Sequence, residues 1–149
     1  MKKGNRFVLI MILAVITAMV FTACGSKKQQ TLESYVNDHP EIKAEIDEQL
    51  GADEYNGITV EFSGNDMIYN FDLSSNESIT EEMAKSEEIK TALDEGLAGQ
   101  EESFKAAANT VLKSIKEDGG TIDAIRVIVN YNYGDELITS ATFDSDPAE

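Results

Sequence analysis

The residue types that most often carry catalysis are scarce in this chain. Cys24 is its only cysteine and His39 its only histidine. Nucleophilic catalysis needs a nucleophile, a base within reach and a group that orients that base. Zinc and copper sites draw mainly on cysteine and histidine. We therefore expect no enzymatic activity, no catalytic residue, no metal site and no cofactor.

The 28 acidic residues are the remaining candidates for chemistry. Calcium needs only oxygen ligands, and the candidates are Asp144 with Asp146, together with Asp66 and Asp135 in predicted turns. None of them has the spaced ligands and glycine of a known calcium loop. A pair of carboxylates could also serve a glycosidase, but the chain has no tryptophan to stack on a sugar. Such pairs arise by chance in an acidic chain, so we interpret them as a solvated surface.

Several other residues favour structural interpretations. His39 precedes Pro40, which places it at or just outside a helix cap. Met67 and Met83 lie in a strand pattern and a helix pattern, and we predict that both are core residues. Gly96 to Gly99 lies within a helix pattern and lacks the lysine of a phosphate-binding loop.

The N-terminus has the pattern of a secretory signal. Lys2, Lys3 and Arg6 are followed by an uncharged apolar run from Phe7 to Ala23. A basic start, an apolar run and small residues at its end are the three parts of such a signal. A permanent transmembrane helix is the alternative, since about 17 residues is the shortest apolar run that spans a bilayer.

The end of this run favours cleavage and lipidation. Phe21-Thr22-Ala23-Cys24-Gly25-Ser26 resembles the lipobox of bacterial lipoproteins, with Phe21 where leucine is usual. The resemblance implies that residues 1–23 are a signal peptide and that the thiol of Cys24 carries a covalent diacylglycerol. Residues 24–30 then form the lipidated cysteine and a short tether. Two acyl chains suffice for stable anchoring, which predicts a lipid-anchored protein on the extracytoplasmic face of the cell membrane.

The charge of the remaining chain limits its partners. Removal of Lys2, Lys3 and Arg6 leaves nine basic against 28 acidic residues, a net charge of −19. A body this acidic repels phosphates, so we expect no nucleic-acid partner. It also has no basic patch to hold an anionic membrane, so the lipid must supply the anchor.

Two short helices or a single one are predicted from Leu32 to Leu50. Thr31 is a weak cap for the first, because a capping box wants an acid or amide where Ser34 stands. Asp38 and Pro40 mark a better helix start. Gly51 is a plausible stop.

Two hairpins are predicted from alternating apolar and polar residues. The first joins Ile58–Phe62 to Met67–Leu73 through a turn that contains Gly64. The second joins Ala124–Tyr133 to Glu136–Phe143 through Gly134 and Asp135, with Leu137 on the apolar side. Each strand shows one apolar face, as in a sheet that is covered on one side.

A long helical region is predicted between the hairpins. Ser78 and Glu81 form a capping box at its start, and Gly119-Gly120 ends it. Gly96 and Gly99 predict a bend or break near its middle. One apolar stripe runs along it, made by Ile89, Leu93, Leu97, Phe104, Ala108, Val111 and Ile115.

These elements predict a single α+β domain over residues 31–144, in the order α-ββ-α-ββ. The simplest burial is a four-stranded antiparallel sheet with helices packed on one face. The segment from Asp144 to Glu149 is polar and is expected to fray, leaving residues 145–149 as a tail.

The whole layout resembles a family of small Firmicutes (Gram-positive) lipoproteins that carry a domain of unknown function. The residues that carry the resemblance are the Thr22–Ser26 junction, Thr31–Glu41, Glu101-Glu102-Ser103-Phe104 and Ile122–Val127. The resemblance implies the location and the fold, and it brings no active site.

Two functional hypotheses follow. The first is a non-catalytic binding or interaction module at the cell surface, which meets a protein or small ligand through the open sheet face or a hairpin tip. Ile68, Ile128 and Ile138 would then form a contact patch, although we favour an ordinary half-exposed sheet face as the explanation for them. The second is an inhibitor or accessory subunit of an extracytoplasmic enzyme. The ligand-binding residues, the partner and the oligomeric state stay unknown.

Overall fold

A computed structural model describes residues 30–51 and 56–146. The predictions for the signal peptide and for Cys24 lie outside these residues. In chain order the elements are helices α1 (Leu32–Asp38) and α2 (Pro40–Leu50), strands β1 (Ile58–Ser63) and β2 (Asp66–Asp72), a 3₁₀ turn (Leu73–Ser75), helices α3 (Glu81–Ala84), α4 (Glu87–Ala98) and α5 (Glu101–Glu117), and strands β3 (Arg126–Tyr133) and β4 (Glu136–Asp144).

The four strands form one mixed sheet in the order β1-β2-β3-β4. Each hairpin is antiparallel, but β2 and β3 run parallel, with Asp66 opposite Arg126 and Asp72 opposite Asn132. The α+β prediction is confirmed, whereas the purely antiparallel sheet is wrong. Alternation shows which face a side chain occupies and not which way its strand runs. The helical connection returns the chain to the start of β2, where Arg126 N–H donates to Asn65 O at 3.0 Å.

The element order also differs from α-ββ-α-ββ, because two helices precede the first hairpin and a 3₁₀ turn and three helices separate the hairpins. The expected break is confirmed at Gly99, the C-cap of α4. The predicted start at Ser78 is wrong, since Thr80 caps α3 by accepting Met83 N–H at 3.3 Å. Ser86 then caps α4 by accepting Ile89 N–H.

The first helix is better capped than the sequence suggests. Thr31 Oγ1 accepts Ser34 N–H at 3.1 Å, and Ser34 Oγ accepts Thr31 N–H at 3.0 Å. A serine hydroxyl thus replaces the expected acid in the capping box, because an oxygen acceptor is all that the position requires. His39 follows as the junction between α1 and α2, with Pro40 as the first residue of α2.

The core lies between one sheet face and the helices. Alternate strand residues on that face are buried, among them Met67, Tyr69, Phe71, Val127, Val129 and Tyr131. They form one cluster with helix residues that include Leu32, Tyr35, Leu97, Phe104, Val111 and Ile115. The apolar stripe of the helical region therefore covers the sheet, as its spacing predicts.

Two residues predicted to be inside are on the surface. Leu137 is 55% exposed, because a bulge pairs Tyr131 with Thr139 and the next residue, Asn132, with Leu137. This slip by one residue ends the alternation on which the inward prediction relied. Met83 is 37% exposed, because α3 is a separate single turn and not a continuation of the buried stripe.

The fraying expected from Asp144 onward is wrong for residues 144–146. Asp144 is the last residue of β4. Ser145 is buried and exchanges hydrogen bonds with Ile125, through its N–H and its hydroxyl. Asp146 is held by Asn109, whose amide donates to Asp146 Oδ2 at 2.7 Å.

Candidate functional site

The two ends of the sheet differ in the residues and elements that meet there. One end, here the α1 end, holds Ser63, Asp66, Arg126 and Asp144. Helix α1 begins there, with Leu32 N–H donating to Asn65 Oδ1 at 3.0 Å. The opposite end, here the cavity end, contains the last residue of β2 and the β3–β4 turn.

A cavity of about 160 Å³ opens at the cavity end. Its apolar lining comes from the strands, the 3₁₀ turn and the approach to α3, namely Ile58, Phe71, Leu73, Ile79 and Tyr131. Its polar lining comes from Asn56, Asp72, Ser75 and Asn76. An apolar pocket with a few polar groups is the usual form of a small-ligand site.

The polar side of the cavity depends on a close backbone approach at Gly57. Gly57 has φ +83, and a Cβ there would lie 2.1 Å from Ser75 Oγ. Gly57 O accepts Asp72 N–H at 2.7 Å, and Ser75 Oγ donates to Asp72 O at 2.7 Å. A side chain at position 57 would push the 3₁₀ turn away from β1, so glycine sets the shape of the cavity.

Asp72 joins this rim to the β3–β4 turn. Its Oδ1 accepts the Ser74 hydroxyl at 2.6 Å, Ser74 N–H at 2.9 Å and Gly134 N–H at 3.0 Å. The hydrogen bond from the Ser74 hydroxyl, followed by that from Gly134, lowers the pKa of the Asp72 carboxyl. The carboxylate therefore stays ionised at neutral pH and gives the cavity a negative wall.

Tyr131 forms part of the cavity floor and is fully buried. Its ring stacks on Phe71 with centroids 5.0 Å apart. Its hydroxyl is buried and has no hydrogen-bond partner among the residues that the structure describes. Burial raises the pKa of this hydroxyl to about 12, so it remains a neutral donor.

The exposed large hydrophobic residues Met83 and Leu137 lie at the same end as the cavity. Lys85 Nζ lies 2.5 Å from Glu136 Oε2, which brings α3 against the β3–β4 turn. Met83 and Leu137 each stand within two residues of this ion pair. The cavity end thus combines a pocket with apolar surface.

The isoleucines predicted on the outer sheet face are half-buried. Ile68 and Ile128 are neighbours in the parallel register, while Ile138 lies at the bulge of β4. The next row is polar and internally bonded: Asn130 donates to Asn70 at 2.9 Å and accepts the Ser140 hydroxyl at 2.7 Å. Two adjacent isoleucines are a small contact area, so the cavity end is the stronger candidate.

The residues considered for metal binding do not converge. Asp66 forms a bidentate ion pair with Arg126 at 2.7 and 2.8 Å, and Arg126 stands between Asp66 and Asp144 in the sheet. Asp146 is paired with Asn109, and Asp135 lies in the β3–β4 turn. Within residues 30–51 and 56–146, no group of three or more histidine, cysteine or acidic side chains could hold a metal ion.

His39 has a structural environment. Its Nδ1 lies 2.8 Å from Tyr35 O, and its ring packs on the Tyr35 ring with centroids 4.3 Å apart. It does not line the cavity.

In the part of the chain that the structure describes, no helix is both long enough and apolar enough to cross a membrane.

The sheet and its helices define a small α+β domain. The chain belongs to the family described as a domain of unknown function, DUF4854, which matches residues 32–146. Membership of a family that carries a domain of unknown function is therefore confirmed. No curated protein and no solved structure matches the chain.

Sequence reasoning missed the cavity residues as a group. Asn56, Ser75 and Asn76 read as turn residues, and Tyr131 reads as one more inward position of a strand. The available signal was that an inward tyrosine carries a hydroxyl, which needs a partner when it is buried.

Proposed function

We propose that this protein is a membrane-anchored lipoprotein of a Gram-positive (Firmicutes) bacterium and a non-catalytic binding module at the extracytoplasmic face. The location is supported by the basic start, the apolar run and the Thr22-Ala23-Cys24-Gly25 junction. Cys24 carries the diacylglycerol. The negative net charge keeps the domain off anionic headgroups, so the lipid alone holds it at the membrane.

In this proposal the anchor sets which end of the domain is presented. Thr31 follows Cys24 by seven residues, a span of at most about 25 Å. The chain then enters α1 at the α1 end, where Glu33 N–H donates to Gly64 O at 2.8 Å. The cavity end lies a strand length away, about 26 Å for the eight residues of β3.

The observation that carries the binding function is the position of the cavity. The pocket and the exposed Met83 and Leu137 all lie at the end of the sheet opposite the attachment point. A module that meets its ligand or partner away from the membrane would place its apolar surface there. The net charge of −19 that would remain after removal of the signal peptide favours uncharged or cationic partners.

The anchoring is tested by mass spectrometry of membrane fractions from a Gram-positive host. We expect wild type to show cleavage before Cys24 and the added mass of a diacylglycerol. Cys24→Ala should lose the lipid. Retention of the first 23 residues in wild type, or an unchanged mature mass in Cys24→Ala, would refute the lipoprotein proposal.

The binding end is tested by placing one photoreactive amino acid at Leu137 and, in a matched variant, at Ser63. Both positions are exposed, but Ser63 lies at the α1 end. We expect surface crosslinks from position 137 and few from position 63. Equal yields, or crosslinks from position 63 alone, would contradict the proposed orientation. An inhibitor or accessory subunit would crosslink to an enzyme and change the activity of that enzyme.

A further inference from the structure

The Tyr131 hydroxyl is the most unusual polar atom among the described residues. It is a buried side-chain oxygen with no hydrogen-bond partner there. A buried hydroxyl without a partner carries its full desolvation penalty, which is a large part of the stability of a small domain. Because Tyr131 also lines the cavity, a bound molecule is a natural source of the missing bond.

We propose that the cavity binds a small uncharged molecule with an apolar body about the size of a six-membered ring and one oxygen atom that accepts a hydrogen bond from the Tyr131 hydroxyl. This inference rests on the proposed function as a binding module and names the ligand class of that module.

The size of the proposed ligand follows from the cavity volume. A cavity of about 160 Å³ is close in size to an engineered apolar cavity of about 150 Å³ in another protein, which binds benzene. A ring with one small substituent therefore fills it. Water does not reach the hydroxyl, so in this proposal the ligand oxygen meets it only after a side chain of the cavity lining has moved.

The proposed ligand is uncharged because of the residues that line the cavity. The apolar walls would impose a large desolvation cost on an ion. The ionised Asp72 carboxylate repels an anion further. Asp72 Oδ1 already accepts three hydrogen bonds from Ser74 and Gly134, which reduces its capacity to pair with a cation. A neutral acceptor remains as the complement to a neutral hydroxyl donor.

The test uses the full chain in lipid nanodiscs with labelled isoleucine methyl groups. Ile58 and Ile79 line the cavity, whereas Ile68 and Ile128 lie on the outer sheet face and serve as internal references. The probes share one ring: cyclohexanone, methylcyclohexane, cyclohexylammonium and cyclohexanecarboxylate. We expect cyclohexanone and methylcyclohexane to shift the Ile58 and Ile79 signals, and the two ions to bind most weakly.

Tyr131→Phe isolates the hydroxyl. We expect it to weaken cyclohexanone binding about three- to tenfold, the worth of one net hydrogen bond, and to leave methylcyclohexane binding unchanged. Ile79→Phe should fill the cavity and abolish the shift at Ile58. The matched substitution Ile68→Phe, on the outer face, should leave binding intact.

Several outcomes would overturn this inference. If Tyr131→Phe changes the affinity for cyclohexanone no more than the affinity for methylcyclohexane, the hydroxyl has no role in binding. Tighter binding of either ion would refute the ligand class. If no probe shifts Ile58 or Ile79, the cavity is not the ligand site, while crosslinks from position 137 would still support the proposed binding module.

Discussion

The two ends of the sheet differ in how completely their polar groups are bonded. At the α1 end, Asn65 accepts the first N–H of α1, and Gly64 N–H donates to Glu33 Oε2 at 2.8 Å. Asp66 and Arg126 join β2 to β3 there. At the cavity end, the polar rim is also bonded, but the Tyr131 hydroxyl below it has no partner among the described residues.

This difference distinguishes a structural connection at the α1 end from a candidate binding region at the cavity end. Native proteins satisfy most buried polar groups, so an unsatisfied one calls for an explanation. At the α1 end, hydrogen bonds and an ion pair connect a helix, two strands and the C-terminal residues of the domain. The cavity end leaves one donor and two apolar side chains uncommitted, which is the composition of a surface that meets another molecule.

The largest expected change in the free energy of unfolding comes from replacing two glycines that both have positive φ. Gly57→Ala at the cavity end should destabilise the domain by at least about 2 kcal/mol, since the left-handed backbone costs about 1–2 kcal/mol and the Cβ collides with Ser75 Oγ. Gly64→Ala at the α1 end should cost only about 1 kcal/mol, because its Cβ meets nothing within 4 Å. Thermal unfolding of the full chain, followed by circular dichroism, measures both.

Similar losses for the two variants would contradict the close approach at Gly57. In that case the 3₁₀ turn can move away from β1 at little cost, and the cavity would have no fixed shape.

Removing the hydroxyl from each of two tyrosines should give the next largest changes in the free energy of unfolding, and these changes should have opposite signs. Tyr131→Phe should stabilise the ligand-free domain by about 1 kcal/mol, because it removes a buried hydroxyl without a partner. Tyr35→Phe should destabilise it by about 1 kcal/mol, because the Tyr35 hydroxyl donates to Asp118 Oδ2 at 3.0 Å. Unfolding midpoints of the two variants against wild type provide the measurement.

Destabilisation by Tyr131→Phe would mean that the hydroxyl has a partner in solution, such as a buried water. The cavity end would then be as completely bonded as the α1 end.

The smallest effect concerns the pH dependence of the cavity end. The pKa of the Asp72 carboxyl is lowered in the folded state, chiefly by the Ser74 hydroxyl. Its stabilisation is therefore complete above the unfolded pKa of 3.8 and is lost as pH falls through the lower folded value. Asp72 is partly exposed, so the loss should stay below about 1 kcal/mol.

Ser74→Ala checks the cause. Unfolding measured from about pH 5 to about pH 2 should show a shallower decline in Ser74→Ala than in wild type. An unchanged decline would assign the acid sensitivity to other carboxyl groups.

Local features of the fold were readable from the sequence. The four strands start and end within two residues of their predicted bounds, because alternation and the glycines at 64 and 134 are local signals. The direction of β3 relative to β2 was not readable, since it depends on where a long helical connection ends. The helix start at Thr80 was missed because Ser78 offers a competing cap nearby.

The cavity was beyond sequence reasoning for a different reason. It forms where Gly57, the 3₁₀ turn and Tyr131 meet, and these are far apart along the chain. Each of them has an ordinary local interpretation. Only the tertiary structure shows that Tyr131 lines a cavity together with the 3₁₀ turn, and that its hydroxyl has no partner among the described residues.

The parallel pairing of β2 with β3 has a consequence for the order of folding. Asp66 and Arg126 are 60 residues apart, so the sheet closes only after the ribosome has released most of the chain. Until then β2 has an unpaired edge and the helical stripe has no complete sheet to cover. Non-local pairing of this kind slows folding, so the partly folded chain exposes the unpaired edge of β2 for longer than a chain with only local pairings would.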